Sequence, residues 1–262
     1  MFDSVISLGN DCLPRISSTF AGIKKKKSEG ELSMPFDLMI SHLDDVEKLI
    51  KNNFQDFCNP DYLYISDANK MICHQLYPSL VFNHESPEYL INENIIDNPN
   101  KYIENNYAFF VTTYSKRVQN FQKALKSSRI LFVCHNETFP YKIWKYLFNM
   151  NHYFLCFNTK PQSCNNTTIF TQSHCFYEIP CEEEWPTSLV YWARVTFELK
   201  WIYRKILHQR QSNIVLPDAI YKYPYQFMIS RTDLGFTTLE ELYEHVENFA
   251  DDLTNDNILD QI

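Results

Sequence analysis

The stretch RILFVCHNETFPYKIWKYLFNMNHYFLCFN, residues 129–158, decides the fold class. It opens with an apolar run typical of a fully buried strand, continues with a segment of helical character, and closes with a second buried strand. Continuous apolar strands that alternate with helices indicate βα units, because strands covered on both faces have no polar side. We therefore predict an α/β fold with a mainly parallel sheet and helices on both faces, in a three-layer arrangement of the Rossmann-like or SGNH-like kind.

The same pattern extends towards both ends of the chain. A further buried strand is predicted at residues 2–8, and Pro14 opens the helix that follows it. Other strand-like runs lie at residues 62–66, 70–75, 79–84, 167–172 and 174–180, and other helices at residues 43–57, 102–125 and from 188 onwards. We predict one α/β domain over residues 1–210 and a helical C-terminal extension, residues 211–262, that packs on it and ends in flexible residues.

The net charge and the number of cysteines bear on the binding partner and on the cellular compartment that we expect. The chain of 262 residues has 24 lysines and arginines against 32 aspartates and glutamates, and its net charge is −8. A nucleic-acid binder carries a basic surplus, so we expect no nucleic-acid partner. From the acidic, weakly apolar residues 1–12 we expect no export signal, so eight cysteines in a long chain favour reduced thiols, and we expect a cytoplasmic protein.

A membrane span and a metal site are also not expected. The longest apolar-rich stretch, residues 188–207, carries five charged side chains, which a membrane-spanning helix does not tolerate without partners. The chain has no CxxC or HExxH motif, and its neighbouring cysteines and histidines point to opposite faces of strands, so no zinc site is predicted. The oligomeric state stays open.

The turn after the first predicted strand is a candidate site of chemistry. It holds SLGNDC, residues 7–12, and ligands of open α/β sheets bind outside the carboxyl ends of the strands. Gly9 permits a positive φ and the close approach of a ligand, and the amides of Gly9, Asn10 and Asp11 can hold an oxyanion. Cys12 begins the next helix, where the partial positive charge favours a thiolate. That charge contributes only about 0.3 to 1 kcal/mol, so a second group is needed.

Two histidines are candidates for this second group. His84 ends the strand-like run 79–84, and His135 ends the buried strand of the opening stretch, beside Asn136. An imidazole is the usual base for a thiol nucleophile, and the end of a strand suits it equally well in both cases. The alternative for each of these histidines is a structural role, and for Cys12 a small apolar residue of the core.

Short motifs in a fixed order resemble one known family. The motifs are SLGNDC at residues 7–12, PFDL at 35–38, FNH at 82–84 and YSKRVQNFQKAL at 114–125, followed by the strand RILFV. In this succession, over about the first half of the chain, the sequence resembles a bacterial and viral family of papain-like cysteine peptidases. The resemblance implies that Asp37 is the carboxylate that orients the catalytic imidazole. Leu13 stands where the family commonly has a glutamine, which removes one candidate oxyanion donor.

A second resemblance concerns the first turn alone. SLGNDC is similar to the strand-GNCQ-helix opening of a capsular polysaccharide biosynthesis family that binds coenzyme A and is thought to transfer acetyl groups. Peptide hydrolysis and acyl transfer both use a thiolate, a base and an oxyanion hole. The resemblance therefore implies, as an alternative, an acyltransferase that uses a coenzyme A thioester to modify a surface glycan. Hydrolysis requires no cofactor.

We predict a cysteine-dependent enzyme of acyl chemistry, with hydrolysis as the first hypothesis and transfer as the second. Cys12 attacks a carbonyl, His84 or His135 removes the thiol proton, Asp37 orients the base, and Asn136 joins the first turn in binding. The substrate is a peptide, an acyl compound or a glycan. A hypothesis of a different class is a non-catalytic module that binds a carbohydrate or a protein through aromatic clefts, since the chain has 17 tyrosines and 20 phenylalanines.

Overall fold

The computed structural model describes residues 2–68, 70–86, 105–160, 168–171, 173–180, 189–212 and 219–221. A six-stranded sheet lies at its centre. The parallel part of this sheet consists, in spatial order, of β1 (Ser4–Ser7), β5 (Ile130–His135), β6 (Tyr153–Lys160) and β8 (His174–Pro180). Beyond β8 the sheet continues antiparallel with β7 (Thr168–Phe170) and then β9 (Ala219–Tyr221).

A second, small sheet is antiparallel, and its strands come between β1 and β5 in the sequence. It contains β2 (Leu63–Ile65), β3 (Ile72–His74) and β4 (Val81–Phe82). The helices are α1 (Leu13–Phe20), α2 (Leu43–Lys51), α3 (Ala108–Ala124), α4 (Tyr141–Leu147) and α5 (Leu189–Ser212). Within the described ranges, no helix is both long and apolar enough to span a membrane.

Side chains of the parallel strands alternate between two apolar clusters, one on each face of the sheet. Ile6, Phe132 and Phe154 belong to the cluster that includes residues of α2, α3, α4 and the small sheet. Val5 and Leu131 belong to the other cluster, which includes residues of α1 and α5. Burial on both faces explains why these strands are almost entirely apolar. The predicted α/β fold, mainly parallel with helices on both faces, is confirmed.

The helix predicted over residues 43–57 is shorter than its apolar spacing indicates. It ends at Lys51, because Asn53, Phe54 and Asp56 have φ angles of +50°, +59° and +59°. Left-handed residues cannot continue a right-handed helix. Phe54 and Phe57 are nevertheless buried in the core, so their spacing reflects the packing of a compact turn.

Several sequence predictions fall partly on residues outside the described ranges. Of the helix predicted over residues 102–125, residues 108–124 form α3 and residues 105–107 form a turn before it. Residues 102–104 lie outside the described ranges. Of the predicted extension, 211–212 end α5 and 219–221 form β9. The flexible end predicted for the chain lies outside the described residues, and the domain boundary at residue 210 stays a prediction.

Candidate active site

The turn after β1 is built from two consecutive residues in the left-handed region. Gly9 has a φ of +86° and Asn10 a φ of +80°. A Cβ atom on Gly9 would lie 2.4 Å from Oγ of Ser41, so a side chain there would require the Ser41 hydroxyl to move. The amide of Ser41 donates to the carbonyl oxygen of Asn10 at 3.0 Å, and the amide of Asn10 donates to Oγ of Ser41 at 3.3 Å. The glycine therefore permits the close approach of Ser41 from the same chain, where the sequence predicted the approach of a ligand.

Asp11 links the start of α1 to the neighbouring strand. Its Oδ1 atom accepts a hydrogen bond from the amide of Leu13 at 2.9 Å, which satisfies one of the free amides at the start of the helix. Its Oδ2 atom lies 2.8 Å from Nδ1 of His135. Cys12 stands between these contacts as the N-cap residue of α1, and its side chain is half-buried.

His135 is the last residue of β5, the strand that pairs with β1. Its imidazole stacks on the ring of Phe157, with centroids 5.3 Å apart and planes at 25°. Phe157 belongs to the apolar cluster on the α1 side of the sheet, so the imidazole is held beside the start of α1. The Nε2 atom of His135 is buried and has no hydrogen-bond partner within the described part of the chain. With Nδ1 donating to Asp11, the Nε2 lone pair is the one available for a proton.

The acidity of Cys12 differs from the sequence prediction. Burial, and then the neighbouring carboxylate of Asp11, raise the pKa of the Cys12 thiol to about 12. The start of a helix contributes about 0.3 to 1 kcal/mol in the opposite direction, which is too little to compensate. The structure therefore holds Cys12 as a neutral thiol at neutral pH, and the thiolate expected from its place at the helix start is not stabilised.

Asp37 is fully buried in a different set of contacts. Its Oδ1 atom accepts a hydrogen bond from Nζ of Lys24 at 3.2 Å, and its Oδ2 atom accepts one from the amide of Met34 at 2.7 Å. Nε of Arg15 lies 3.9 Å from Oδ2. Burial acts to raise the pKa of Asp37, but Lys24 and Arg15 outweigh it and lower the pKa. Among the described residues Asp37 touches no imidazole, and the carboxylate that does so is Asp11.

His84 lies in a single 3-10 turn, Asn83–Glu85, directly after β4. The adjacent Glu85 is buried, and its two carboxylate oxygens contact α3: Oε1 lies 2.8 Å from Nη1 of Arg117, and Oε2 accepts a hydrogen bond from the hydroxyl of Tyr114 at 3.1 Å. The guanidinium of Arg117 lies 4.7 Å from the ring centroid of Tyr114. Two motifs that are distant in sequence thus meet, and the 114–125 motif holds the turn that carries His84.

A cavity of about 740 Å³ opens at the carboxyl ends of β1 and β5. Asn10 and Asn136 form its wall at the sheet, and the beginnings of α2 and α4 form the opposite walls. Nδ2 of Asn136 donates to the carbonyl oxygen of Thr138 at 2.7 Å, which fixes the amide at the rim. Cys12 and His135 do not line this cavity, but Asn10 lies two positions before Cys12 and Asn136 directly follows His135. In the described ranges, no three His, Cys, Asp or Glu side chains are grouped to hold a metal ion.

The structure thus divides the predicted site residues into three groups. Asp11, which directly precedes Cys12 in the sequence, contacts His135, and Asn10 and Asn136 line the cavity. Asp37 lies in the buried ionic contacts with Lys24 and Arg15, and His84 lies on the turn held by α3.

Sequence reasoning missed the contact of Asp11 with an imidazole and the roles of Glu85 and Arg117. The spacing of Tyr114 and Arg117, three positions apart on a predicted helix, was the available signal for a shared partner.

Comparison with known proteins gives one family. A family model described as "Putative papain-like cysteine peptidase" matches residues 3–139, which is slightly more than half of the chain. The matched range begins just before β1 and ends just after β5, so it contains every candidate site residue discussed above. No curated protein and no solved structure matches the chain.

Proposed function

Because the chain belongs to this family of papain-like cysteine peptidases, we propose that it is a thiol hydrolase in which Cys12 is the nucleophile and His135 the base. The observation that carries the proposal is the 2.8 Å contact between Nδ1 of His135 and Oδ2 of Asp11, the residue before Cys12. A carboxylate on Nδ1 fixes the tautomer, stabilises the imidazolium and leaves Nε2 to accept a proton. Asp11 takes the orienting role that the sequence predicted for Asp37.

The neutral state of Cys12 determines how the first step proceeds. As Sγ of Cys12 bonds to the substrate carbonyl carbon, its proton moves to Nε2 of His135, and the carbonyl π electrons move to the oxygen. When the oxyanion collapses, the bond to the leaving amine or alcohol breaks and this group takes the proton from His135. A thioester remains on Cys12.

The second step restores the enzyme. His135 removes a proton from water, and the resulting hydroxide oxygen attacks the thioester carbon. Collapse of this intermediate breaks the C–S bond, and the sulfur recovers the proton from His135. The acid product leaves, and no oxidant, metal or cofactor enters the balance.

The turn after β1 supplies donors for the oxyanion. The amides of Gly9 and Asp11 make no hydrogen bond within the described part of the chain, whereas the amide of Asn10 donates to Ser41. Of the three amides predicted from the sequence, those of Gly9 and Asp11 are therefore free to bind a negative oxygen. Two backbone donors replace the side-chain donor that Leu13 does not provide.

The test is covalent labelling of the full chain with a peptidyl chloromethyl ketone at neutral pH, followed by peptide mapping. We expect the label on Cys12, and we expect the Cys12→Ala and His135→Ala variants to lose it. The Cys58→Ala variant removes another half-buried thiol and is the matched control, which should be labelled like the parent. Labelling that persists in Cys12→Ala would contradict the proposal. Loss in His84→Ala with full labelling of His135→Ala would assign the base to His84.

The same protein preparation separates the other hypotheses. Transfer of an acyl group from a coenzyme A thioester to Cys12, and then to an added glycan, would favour the acyltransferase. Reversible binding of an oligosaccharide without any labelled thiol would favour the non-catalytic module. Cleavage of fluorogenic peptide amides that depends on Cys12 favours the hydrolase.

A further inference from the structure

Two residues in the wall of the cavity of about 740 Å³ are sequence neighbours of the proposed catalytic residues, one after β1 and one after β5. Asn10 in its wall directly precedes Asp11, and Asn136 directly follows His135. His135 stacks towards the α1 side of the sheet, while the cavity is bounded by α2 and α4 from the other side. A substrate that reaches both regions therefore crosses the carboxyl edge of the sheet. Ligand sites of open α/β proteins occupy this place.

The charges in the walls are mainly negative. The lining residues include Asp44, Glu47 and Glu137 against one lysine, Lys142. Lys142 lies 3.8 Å from Asp44, and the two side chains are 79% and 77% exposed, so the pair is screened by water. Glu47 also contacts Lys51 in the next turn of α2. Glu137 makes no ion pair within the described part of the chain, so its charge is not compensated by a neighbour.

Apolar surface accompanies these charges. Phe139 and Ile143 are buried and form part of the lining, and the ring of Tyr141 beside them is 54% exposed. An exposed aromatic ring next to carboxylates suits a cation on an alkyl stem, because the stem packs on apolar atoms and the cation faces the ring and the carboxylates. Three acidic residues outnumber the one lysine in the lining, so the wall disfavours a phosphate or another anion.

We propose that the cavity is a specificity subsite that binds a lysine or arginine side chain of a peptide substrate, with Asp44 and Glu137 as the determining residues. The assignment of this peptide as a substrate rests on the hydrolase function proposed above. The volume lies within the ordinary range of ligand pockets and admits a basic side chain with its neighbouring residues. The negative walls also favour the encounter with a basic peptide over an acidic one.

The experiment measures binding apart from catalysis. Full-length protein with Cys12→Ala is titrated calorimetrically with three capped peptides that differ at one position, which is arginine, norleucine or glutamate. Since an exposed ion pair contributes about 0.2 to 1 kcal/mol, two such pairs predict that the arginine peptide binds about twofold to thirtyfold tighter than the norleucine peptide, and that the glutamate peptide binds weakest. The preference should fall as salt rises.

Charge-neutral substitutions show which residues produce the preference. Asp44→Asn with Glu137→Gln, in the same background, should reduce the ratio of the arginine to the norleucine peptide towards one. Asp67→Asn is the matched control, because Asp67 is an exposed aspartate outside the cavity. Equal binding of the three peptides, or binding of a neutral oligosaccharide that competes with none of them, would overturn the inference.

The two proposals fail in distinguishable ways. If Cys12 is labelled as proposed but the peptides bind without regard to charge, the subsite is wrong and the hydrolase stands. If the arginine peptide binds selectively but neither Cys12 nor a histidine supports labelling, the hydrolase is wrong and the cavity is not a substrate subsite of such an enzyme.

Discussion

Nδ1 of His135 lies 2.8 Å from Oδ2 of Asp11, although the two residues are 124 positions apart in the chain. The contact joins the turn after β1 to the end of β5, the strand that pairs with β1 in parallel. Parallel neighbours end at the same edge of a sheet, so the groups that follow each strand meet there. The pair orients the imidazole through Asp11, the residue that directly precedes Cys12.

Asp11→Asn should change catalysis and thiol reactivity in opposite directions. The amide oxygen of asparagine can still accept the hydrogen bond from Leu13, but it cannot stabilise an imidazolium on His135. We expect peptide hydrolysis to fall by about 10²- to 10⁴-fold. Because the carboxylate of Asp11 helps to raise the pKa of Cys12, alkylation of Cys12 by iodoacetamide should become faster at pH about 8. Parallel loss of both rates would indicate a disrupted turn and contradict this assignment.

The pKa of about 12 for Cys12 predicts the pH dependence of its reaction with a small electrophile. Only the thiolate reacts, so the alkylation rate of the resting protein should rise about tenfold per pH unit from about pH 7 to about pH 10 without a plateau. A cysteine in a short peptide, with a pKa of about 8.5, levels off within this range and is the control. Quantification of labelled Cys12 by mass spectrometry checks the profile. A plateau below about pH 8 would mean that the thiol is activated before a substrate binds.

Gly9→Ala should destabilise the protein more than Gly22→Ala. Both glycines have positive φ, at +86° and +66°, and alanine in this region costs about 1 to 2 kcal/mol. A Cβ at Gly9 also meets Oγ of Ser41 at 2.4 Å, whereas a Cβ at Gly22 meets nothing within 4 Å. We expect the Gly9 variant to lose about 2 to 3 kcal/mol in urea unfolding, because the Ser41 hydroxyl must also move away from the amide of Asn10. In a Ser41→Ala background the excess over Gly22→Ala should shrink, and an undiminished excess would contradict the steric explanation.

Asp37→Asn should lower the free energy of unfolding and make this free energy depend less on pH in the acid range. Removal of one partner from a buried ion pair costs about 3 to 5 kcal/mol, and this substitution removes the carboxylate that Lys24 and Arg15 share, while Glu31 stays 3.9 Å from Lys24. The pKa of Asp37 is lower in the folded protein than in the unfolded chain, so its stabilisation is present above about pH 4 and is lost as the pH falls further. Urea midpoints measured between neutral pH and about pH 3 should therefore slope less in the variant. Asp67→Asn, at an exposed position, should retain the slope of the parent protein.

Sequence reasoning was most successful where a property belongs to a single element. The strand at residues 129–136 and the helix after Cys12 were predicted correctly, because each is recognised from its own apolar run and its own start signal. The helix at 43–57 was overextended, because Phe54 and Phe57 keep helical spacing while the backbone turns left-handed between them. Apolar spacing reports which side chains are buried, and a compact turn can bury them as well as a helix can.

The sequence predicted which residues form the candidate site, but it did not predict which of them contact each other. Asp11 and Asp37 both lie at turns within motifs of the family. Their neighbours in the sequence do not show which carboxylate contacts an imidazole and which contacts Lys24 and Arg15. The role of Glu85 follows only from the packing of α3, which brings Tyr114 and Arg117 to it. Such choices depend on which elements become neighbours in space.

The amino-acid sequence by itself determined the alternation of buried strands and helices, and with it the kind of sheet and the edge at which polar groups collect. These properties follow from apolar content and local backbone preference, which each segment carries without its neighbours. Only the tertiary structure decided that His135 contacts Asp11 and that the thiol of Cys12 is neutral. The physical reason is that hydrogen bonding and burial depend on atoms that folding brings from more than a hundred positions away.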